Sequence, residues 1–462
     1  MMILNDMEKV IAIFDVGKTN KKVLLFDSRL NLVMQEEQKF PTITDEDGFE
    51  CDNIELIESW MLAILMRIAV SDEYELAGVN FSTYGASLAF IGQDGKRQTP
   101  IYNYLKPIDA KYQQQLFDRY DGQTEFCRKT ASPALGVMLN SGIQALWFKN
   151  EHAKTFATTR HVLHFPQYLS YLLTKQIVSE PTSIGCHTFM WDFDKMDYHP
   201  WLADEEIDLP KPVNNDTVFP VKIANRDVLC GVGIHDSSSS LAPYFKGCDE
   251  PFVLVGTGTW FIHMNPFNAS PLTADQLKRD CLCFMSITQQ PVKSSRLFMG
   301  HIHDVNVDRM TKHFGVQGNH YKTVTVSEPM LRGMLSEGNE GQCFFVGGVP
   351  PQYVDERVDL TQFATFEEAY HRLMFDITLE TQKAIALVHV QGDGVKNMFV
   401  SGGFARNEIF VRLLAHFFPA LKIYTSEVDN SSALGAALVI YDKVFPHQKP
   451  PVDLGLKPWS AL

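Results

Sequence analysis

The chain has 462 residues, 45% of them hydrophobic, and a formal net charge of −14. That length allows two or three domains with sizeable cores, and the acidic balance excludes an extended nucleic-acid surface. No apolar run reaches membrane-spanning length, the best, residues 60–70, being broken by Arg67, and the opening MMILNDMEKV lacks a signal-peptide pattern. The eight cysteines form no CxxC pair and no Cys/His cluster at zinc spacing, so they read as reduced thiols of a cytoplasmic protein.

Residues 11–27 (IAIFDVGKTNKKVLLFD) read as an apolar strand, a tight turn and a second apolar strand. Gly17 lets backbone N–H groups approach an anion closely, and Thr19 and Asn20 add donors. Gly17-Lys18-Thr19 looks like the end of a P-loop. That motif needs a glycine where Ala12 stands and a helix where Val23-Leu24-Leu25-Phe26 reads as a strand. Asp15 ends the first strand at the mouth of the turn, where a carboxylate either bonds nearby N–H groups or serves as an outer ligand to nucleotide-bound Mg²⁺. A strand near 30–35 follows, then a helix over 54–70 with apolar residues at three- and four-residue steps. Residues 76–81 form a strand ending in Ser82-Thr83-Tyr84-Gly85, where an aromatic face beside a glycine either packs on a sugar ring or is simply core. Residues 90–93 lead into the turn Asp94-Gly95. A loop feeds a helix over 133–150, and 164–174 is aromatic-rich and helical in period. Residues 180–186 (EPTSIGC) are a turn cluster, and the Pro-bounded 210–220 is a surface connection.

Residues 231–240 (GVGIHDSSSS) open a helix, with Asp236 or a following serine as its cap. A carboxylate there meets the positive end of the helix dipole, which predicts a low pKa and an ionised acceptor for a sugar hydroxyl proton. The lobe boundary falls within 245–251, giving domains 1–248 and 249–462. Residues 252–265 (FVLVGTGTWFIHMN) then repeat the strand–turn–strand pattern, with Gly256, Thr257, Gly258 and Thr259 in the turn. Two such turns facing each other across a cleft can hold a nucleotide polyphosphate. A long helix over 366–390 precedes a short strand at 398–400 ending in Ser401-Gly402-Gly403. A helix over 407–418, a strand over 423–425 and a capped helix over 430–441 (NSSALGAALVIY) complete an α/β unit, its glycines placed where a ligand can approach.

Taken in order over nearly the whole chain, IAIFDVGKTNKK, VNFSTYGASLAFIGQDG, FPQYLSYLLTKQIVSEPTSIG, GVGIHDSSSS, VGTGTWFIHMN, VSGGFARNEIF and SSALGAALV resemble the FGGY carbohydrate kinases, within the sugar kinase–actin–chaperone ATPase superfamily. The resemblance implies an α/β protein of two ribonuclease-H-like lobes around a central nucleotide and sugar cleft, the first binding the sugar and the second ATP. It implies ATP and Mg²⁺ as cofactors, a small-molecule sugar as partner, and no nucleic acid or membrane; it leaves a homodimer open. Asp236 would be the catalytic base. Asp15, with Asp236, would hold Mg²⁺. Gly17, Lys18, Thr19, Asn20, Gly256, Thr257, Gly258 and Thr259 would face the ATP phosphates. Gly402, Gly403 and Asn407 would lie near the adenosine, and Thr83, Tyr84, Gly85, His235 and Asp236 near the sugar. HDSSSS and GTGTWF are most similar to the L-rhamnulose and L-fuculose kinase branch; kinases for xylulose, ribulose or glycerol, and a non-catalytic sensor on the same fold, are the alternatives. Lys18 departs from the small hydroxyl residues usual in the family's first turn, and reads either as an extra phosphate contact or as a solvent-facing lysine.

Overall fold

The computed structural model describes residues 7–337 and 341–462. The strands Glu8–Val16, Lys21–Phe26 and Leu32–Gln38 form an antiparallel meander, with Asp15 opposite Lys22. Alternate side chains of a strand point to opposite faces. Val10, Ala12, Phe14, Val23 and Leu25 therefore enter one core, and Ile11, Ile13 and Leu24 enter another. Both faces are covered, which is why these strands read as continuous apolar runs rather than alternating ones. Tyr74–Thr83 lies parallel to the first strand, and Arg226–Gly231 and the short Ile234–His235 lie parallel to Tyr74–Thr83. The helix Ile54–Ala69 lays Ile54, Ile57, Met61, Leu65 and Ile68 on the first face. The helix Ser431–Val444 lays Ala433, Ala436, Ala437, Ile440 and Val444 on the second.

The same plan recurs in the second half. Pro291–Leu297, Phe261–Asn265 and Phe252–Thr257 are antiparallel neighbours, and Asn397–Gly402 and Lys422–Thr425 follow in parallel. The long helix Phe366–Val388 and the helix Glu408–Phe417 bury their apolar sides against this sheet. Each half is thus a meander continued by parallel strands, the ribonuclease-H-like α/β plan.

The chain divides into two compact units, but not at a single point. Residues 269–292 and 429–452 belong with 1–248, and the second unit is 249–268, 293–428 and 453–462. Two segments beyond the expected boundary at 248/249 therefore pack with the first unit. The expected strand after the first turn is present, so Gly17-Lys18-Thr19 opens no P-loop helix. The last helix was expected to be capped, but Asn430 at its N-cap position makes no capping bond; its backbone is left-handed and its amide oxygen accepts from Lys22 Nζ at 3.3 Å instead. The helix Met299–Phe314 was not expected from the sequence.

The last helix comes close to the helix Asp236–Gly247. A Cβ on Gly435 would lie 1.8 Å from the Ser239 carbonyl oxygen. Gly435→Ala should lower stability by about 1–3 kcal/mol, the usual range for overpacking. At Gly318 nothing lies within 4 Å, and Gly318→Ala should move the urea midpoint by less than about 0.5 kcal/mol equivalent. Equal midpoints for the two variants would refute the close approach.

Candidate active site

Two carboxylates lie at the ends of neighbouring elements of the first unit. Asp15 closes the first strand and accepts a hydrogen bond from Ser432 Oγ at 2.8 Å. Asp236 is the first residue of its helix and accepts from Ser237 Oγ at 3.2 Å. His235, not Asp236, holds the N-cap position, and no side chain caps this helix. Burial pushes Asp15 up to about 6; the Ser432 hydrogen bond opposes the rise and the charge of Asp236 adds to it. Burial likewise pushes Asp236 up to about 6 against its bonds with Ser237. The low pKa expected from the helix dipole is therefore wrong in direction, because the protein surrounding the carboxyl outweighs a terminal dipole. The Asp236 side chain still keeps 35% of its surface accessible, so it is hemmed in yet reachable.

Two partly accessible carboxylates, the charge of one helping to raise the pKa of the other, form a hard-oxygen pair, the donor set Mg²⁺ prefers. They fit that ion: a divalent cation would relieve the repulsion, with Asp15 oriented by Ser432.

His235 is placed by a chain of bonds. Its backbone N–H donates to Thr182 Oγ1 at 3.0 Å, and that hydroxyl donates to Glu180 Oε2 at 2.5 Å. Burial pushes the imidazole down to about 4, so it is neutral at pH 7. It rests on Gly85, where a Cβ would lie 2.8 Å from the ring; this close approach requires the glycine. Thr83 is buried and donates to the Tyr84 carbonyl. Tyr84 is buried too, and its hydroxyl donates to Asp52 Oδ2 at 2.6 Å. Thr83 and Tyr84 thus brace the site and Gly85 makes room in it.

Asp52 and Tyr104 carried no expected role, yet both stand here. Burial alone would raise the Asp52 pKa, but Lys21, Tyr84 and Lys18 hold it below its ordinary value. Lys21 Nζ is 2.8 Å and Lys18 Nζ 3.1 Å from its two oxygens. Lys18 also lies 5.5 Å from the Tyr84 ring centre and 5.8 Å from that of Tyr104. It faces an aromatic wall, so the solvent-facing reading fails. Tyr104 is half-buried, and its hydroxyl is pushed up by burial and by the charges of Asp236 and Asp52. In the same turn Gly17 and Asn20 are half-buried and Thr19 is exposed.

In the second unit the turn of the second hairpin is open. Gly258 and Thr259 are exposed, and a Cβ on Gly256 or Gly258 would meet nothing nearer than 3.7 Å. Internal packing therefore does not demand glycine there, which leaves a bare backbone for a ligand to approach. Thr257 is buried; it donates to the Ser401 carbonyl at 2.5 Å and accepts from the Phe404 N–H at 3.0 Å. It ties the hairpin to Gly402, whose φ of +88° and approach to the Thr257 carbonyl demand glycine. Gly403 is exposed. Asn407 caps the helix Glu408–Phe417 through its Oδ1 and donates to Tyr370 Oη at 2.9 Å, so both ends of its amide serve the fold.

The N-terminal domain profile of the FGGY family of carbohydrate kinases matches residues 10–213, and the profile described as carbohydrate kinase FGGY, C-terminal domain, matches residues 249–449. The chain belongs to the FGGY family of carbohydrate kinases. A rhamnulokinase of Yersinia pestis bv. Antiqua (strain Angola) is 25% identical over 278 residues, covering 57% of this chain and 55% of its own length. The chain thus matches about half the length of its curated relatives. A carbohydrate kinase from Novosphingobium aromaticivorans superposes with a TM-score of 0.76 at 24% identity, over 98% of this chain and 96% of its own. A xylulose kinase from Lactobacillus acidophilus does so with 0.74 at 16%, over 98% and 93%. These likenesses establish the fold. Among the described residues, no helix is long and apolar enough to cross a membrane and no cysteine is in a disulfide.

For Asp15 and Asp236 the folded pKa of about 6 exceeds the ordinary 3.8. The native state then binds more protons than the unfolded chain between these values, so stability falls as pH rises from about 4 through 6 and is flat above. Mg²⁺ added at pH 7.5 should raise the melting temperature of the native protein and leave Asp15→Asn/Asp236→Asn unmoved. An equal rise in both would exclude this pair as the ligands.

Proposed function

We propose that the protein transfers the γ-phosphate of ATP to a hydroxyl of a sugar, with Asp236 as the general base. The observation that carries this is Asp236 itself, a reachable carboxylate that burial raises to a pKa near 6 and whose charge in turn raises Asp15. Such a group is ionised at pH 7 yet basic enough to accept a hydroxyl proton as the oxygen attacks phosphorus. His235, neutral beside it, would hydrogen-bond a sugar hydroxyl without opposing a cation. Mg²⁺ held by Asp15 with Asp236 would neutralise charge on the transferring phosphoryl group. In the second unit, the bare Gly256–Thr259 turn would take ATP phosphates on its backbone N–H groups, and the exposed Gly403 would lie near the adenosine.

The acceptor proposed is a ketose such as L-rhamnulose or L-fuculose. HDSSSS and GTGTWF support this, together with curated relatives named rhamnulokinase. Xylulose and glycerol are the competing acceptors, because the fold is shared with kinases of those names. Lys18 is assigned to the sugar side, since its ammonium is held against Asp52, Tyr84 and Tyr104.

A coupled ADP-release screen of ketoses, aldoses and polyols should show sugar-dependent turnover, greatest with L-rhamnulose or L-fuculose. Asp236→Asn should keep the fold and lose about two or more orders of magnitude in kcat. In the parent, kcat/KM for the sugar should fall below about pH 6 as Asp236 protonates. Turnover within tenfold of the parent in Asp236→Asn would end the assignment.

Lys18→Met should raise the KM for the sugar several-fold, about 1 kcal/mol for a partly exposed charged contact, and change the KM for ATP less than twofold. The opposite pattern would return Lys18 to the phosphates.

A further inference from the structure

The chain brings together three side chains that phosphoryl transfer does not require in combination. Cys186 and His187 are adjacent in sequence, His235 lies far downstream, and their ligand atoms all fall within 4.8 Å of one another. Cys186 Sγ is 3.3 Å from His235 Nε2, and that nitrogen is 3.2 Å from Asp236 Oδ1. Cys186 and His235 are buried, whereas His187 is half-buried and Asp236 reachable, so the group has an approach from one side.

The geometry suits a metal in particular respects. His187 Nδ1 lies 2.9 Å from the Leu139 carbonyl oxygen. A carbonyl only accepts, so Nδ1 carries the proton and Nε2 bears the lone pair; metal-binding histidines are commonly oriented this way. The backbone of His187 has φ +42°, a left-handed conformation, and its ring lies beside that of His235 at 6.4 Å between centres. The bare Cα of Gly85 gives room to both the His235 ring and Cys186 Sγ.

We propose that Cys186, His187 and His235 form a binding site for a thiophilic divalent cation such as Zn²⁺, with its fourth position open beside Asp236. One thiolate and two imidazoles are a borderline-soft donor set that favours Zn²⁺ or Co²⁺ over Mg²⁺. Binding releases the Cys186 proton to solvent as the sulfur–metal bond forms, so affinity increases with pH. A cation here draws on the Asp236 carboxylate, and Zn²⁺ at low concentration therefore inhibits sugar phosphorylation. The binding stands on these side chains alone; only the inhibition rests on the kinase reading.

The test uses the full chain stripped of metal with a chelator. Co²⁺ titration should give one equivalent of binding with a thiolate-to-cobalt absorption band, and Zn²⁺ should displace it. Cys186→Ser should abolish the band, and His187→Gln should weaken Zn²⁺ binding at least about tenfold in competition with a chromogenic chelator. Circular dichroism checks that each variant is folded. Should Cys186→Ser not fold, the half-buried His187→Gln decides alone. No thiolate band in the parent, or unchanged affinity in the folded variants, overturns the proposal. Stoichiometric Zn²⁺ binding with undiminished turnover overturns the placement beside Asp236. Absence of any sugar-dependent turnover would instead count against the kinase reading and leave the cobalt and chelator results to be judged by themselves.

Discussion

Gly435 and Ser239 approach so closely that even a methyl group would overlap the Ser239 carbonyl. Ser239 Oγ also donates to the Ser432 carbonyl at 2.5 Å. This contact locks the last helix to the helix that starts at Asp236. From it follows the position of Ser432, which reaches Asp15, and of Asn430, which accepts from Lys22 on the first hairpin. Asn80, inside the central strand, donates to the Ala436 carbonyl and accepts from the Gly233 N–H, so the segment leading to His235 is held by the same helix. Two carboxylates from distant parts of the chain thus take fixed positions on a common scaffold.

The charges around this scaffold are segregated. Asp52 satisfies two ammonium groups and a phenol and sits below its ordinary pKa. Asp15 and Asp236 have no ammonium hydrogen-bonded to them among the described residues, and they sit above it. The structure neutralises one carboxylate fully and leaves two others wanting a cation. A group kept short of partners in this way is costly to the fold and useful to a ligand.

Local signals in the sequence marked both hairpins, the parallel strands after them and most helix positions, because apolar periodicity and turn residues are properties of neighbours in the chain. They also put Asp15 at a strand end and Asp236 at a helix start. The signals failed where distant residues decide. The Asp236 pKa depends on protein packed around it from elsewhere, and a dipole argument reads only its own helix. Lys18 is governed by Asp52 and two tyrosines that nothing near residue 18 announces. Cys186, His187 and His235 have no zinc spacing along the chain, because the fold brings His235 to the other two from far downstream. The helix Met299–Phe314 was missed because Asp and His residues crowd its sequence, although Met299, Ile302, Val307 and Met310 carry the buried stripe.

The return of residues 429–452 to the first unit has a temporal consequence. Ile11, Ile13 and Leu24 are covered by the helix Ser431–Val444, which leaves the ribosome several hundred residues after them. Until then the nascent first unit presents an uncovered apolar sheet face, the kind of surface chaperones engage and neighbouring nascent chains adhere to. Loss of residues 429–452 should accordingly harm the first unit, and a stop ahead of them would leave Asp15 without Ser432 as well as a core without its lid.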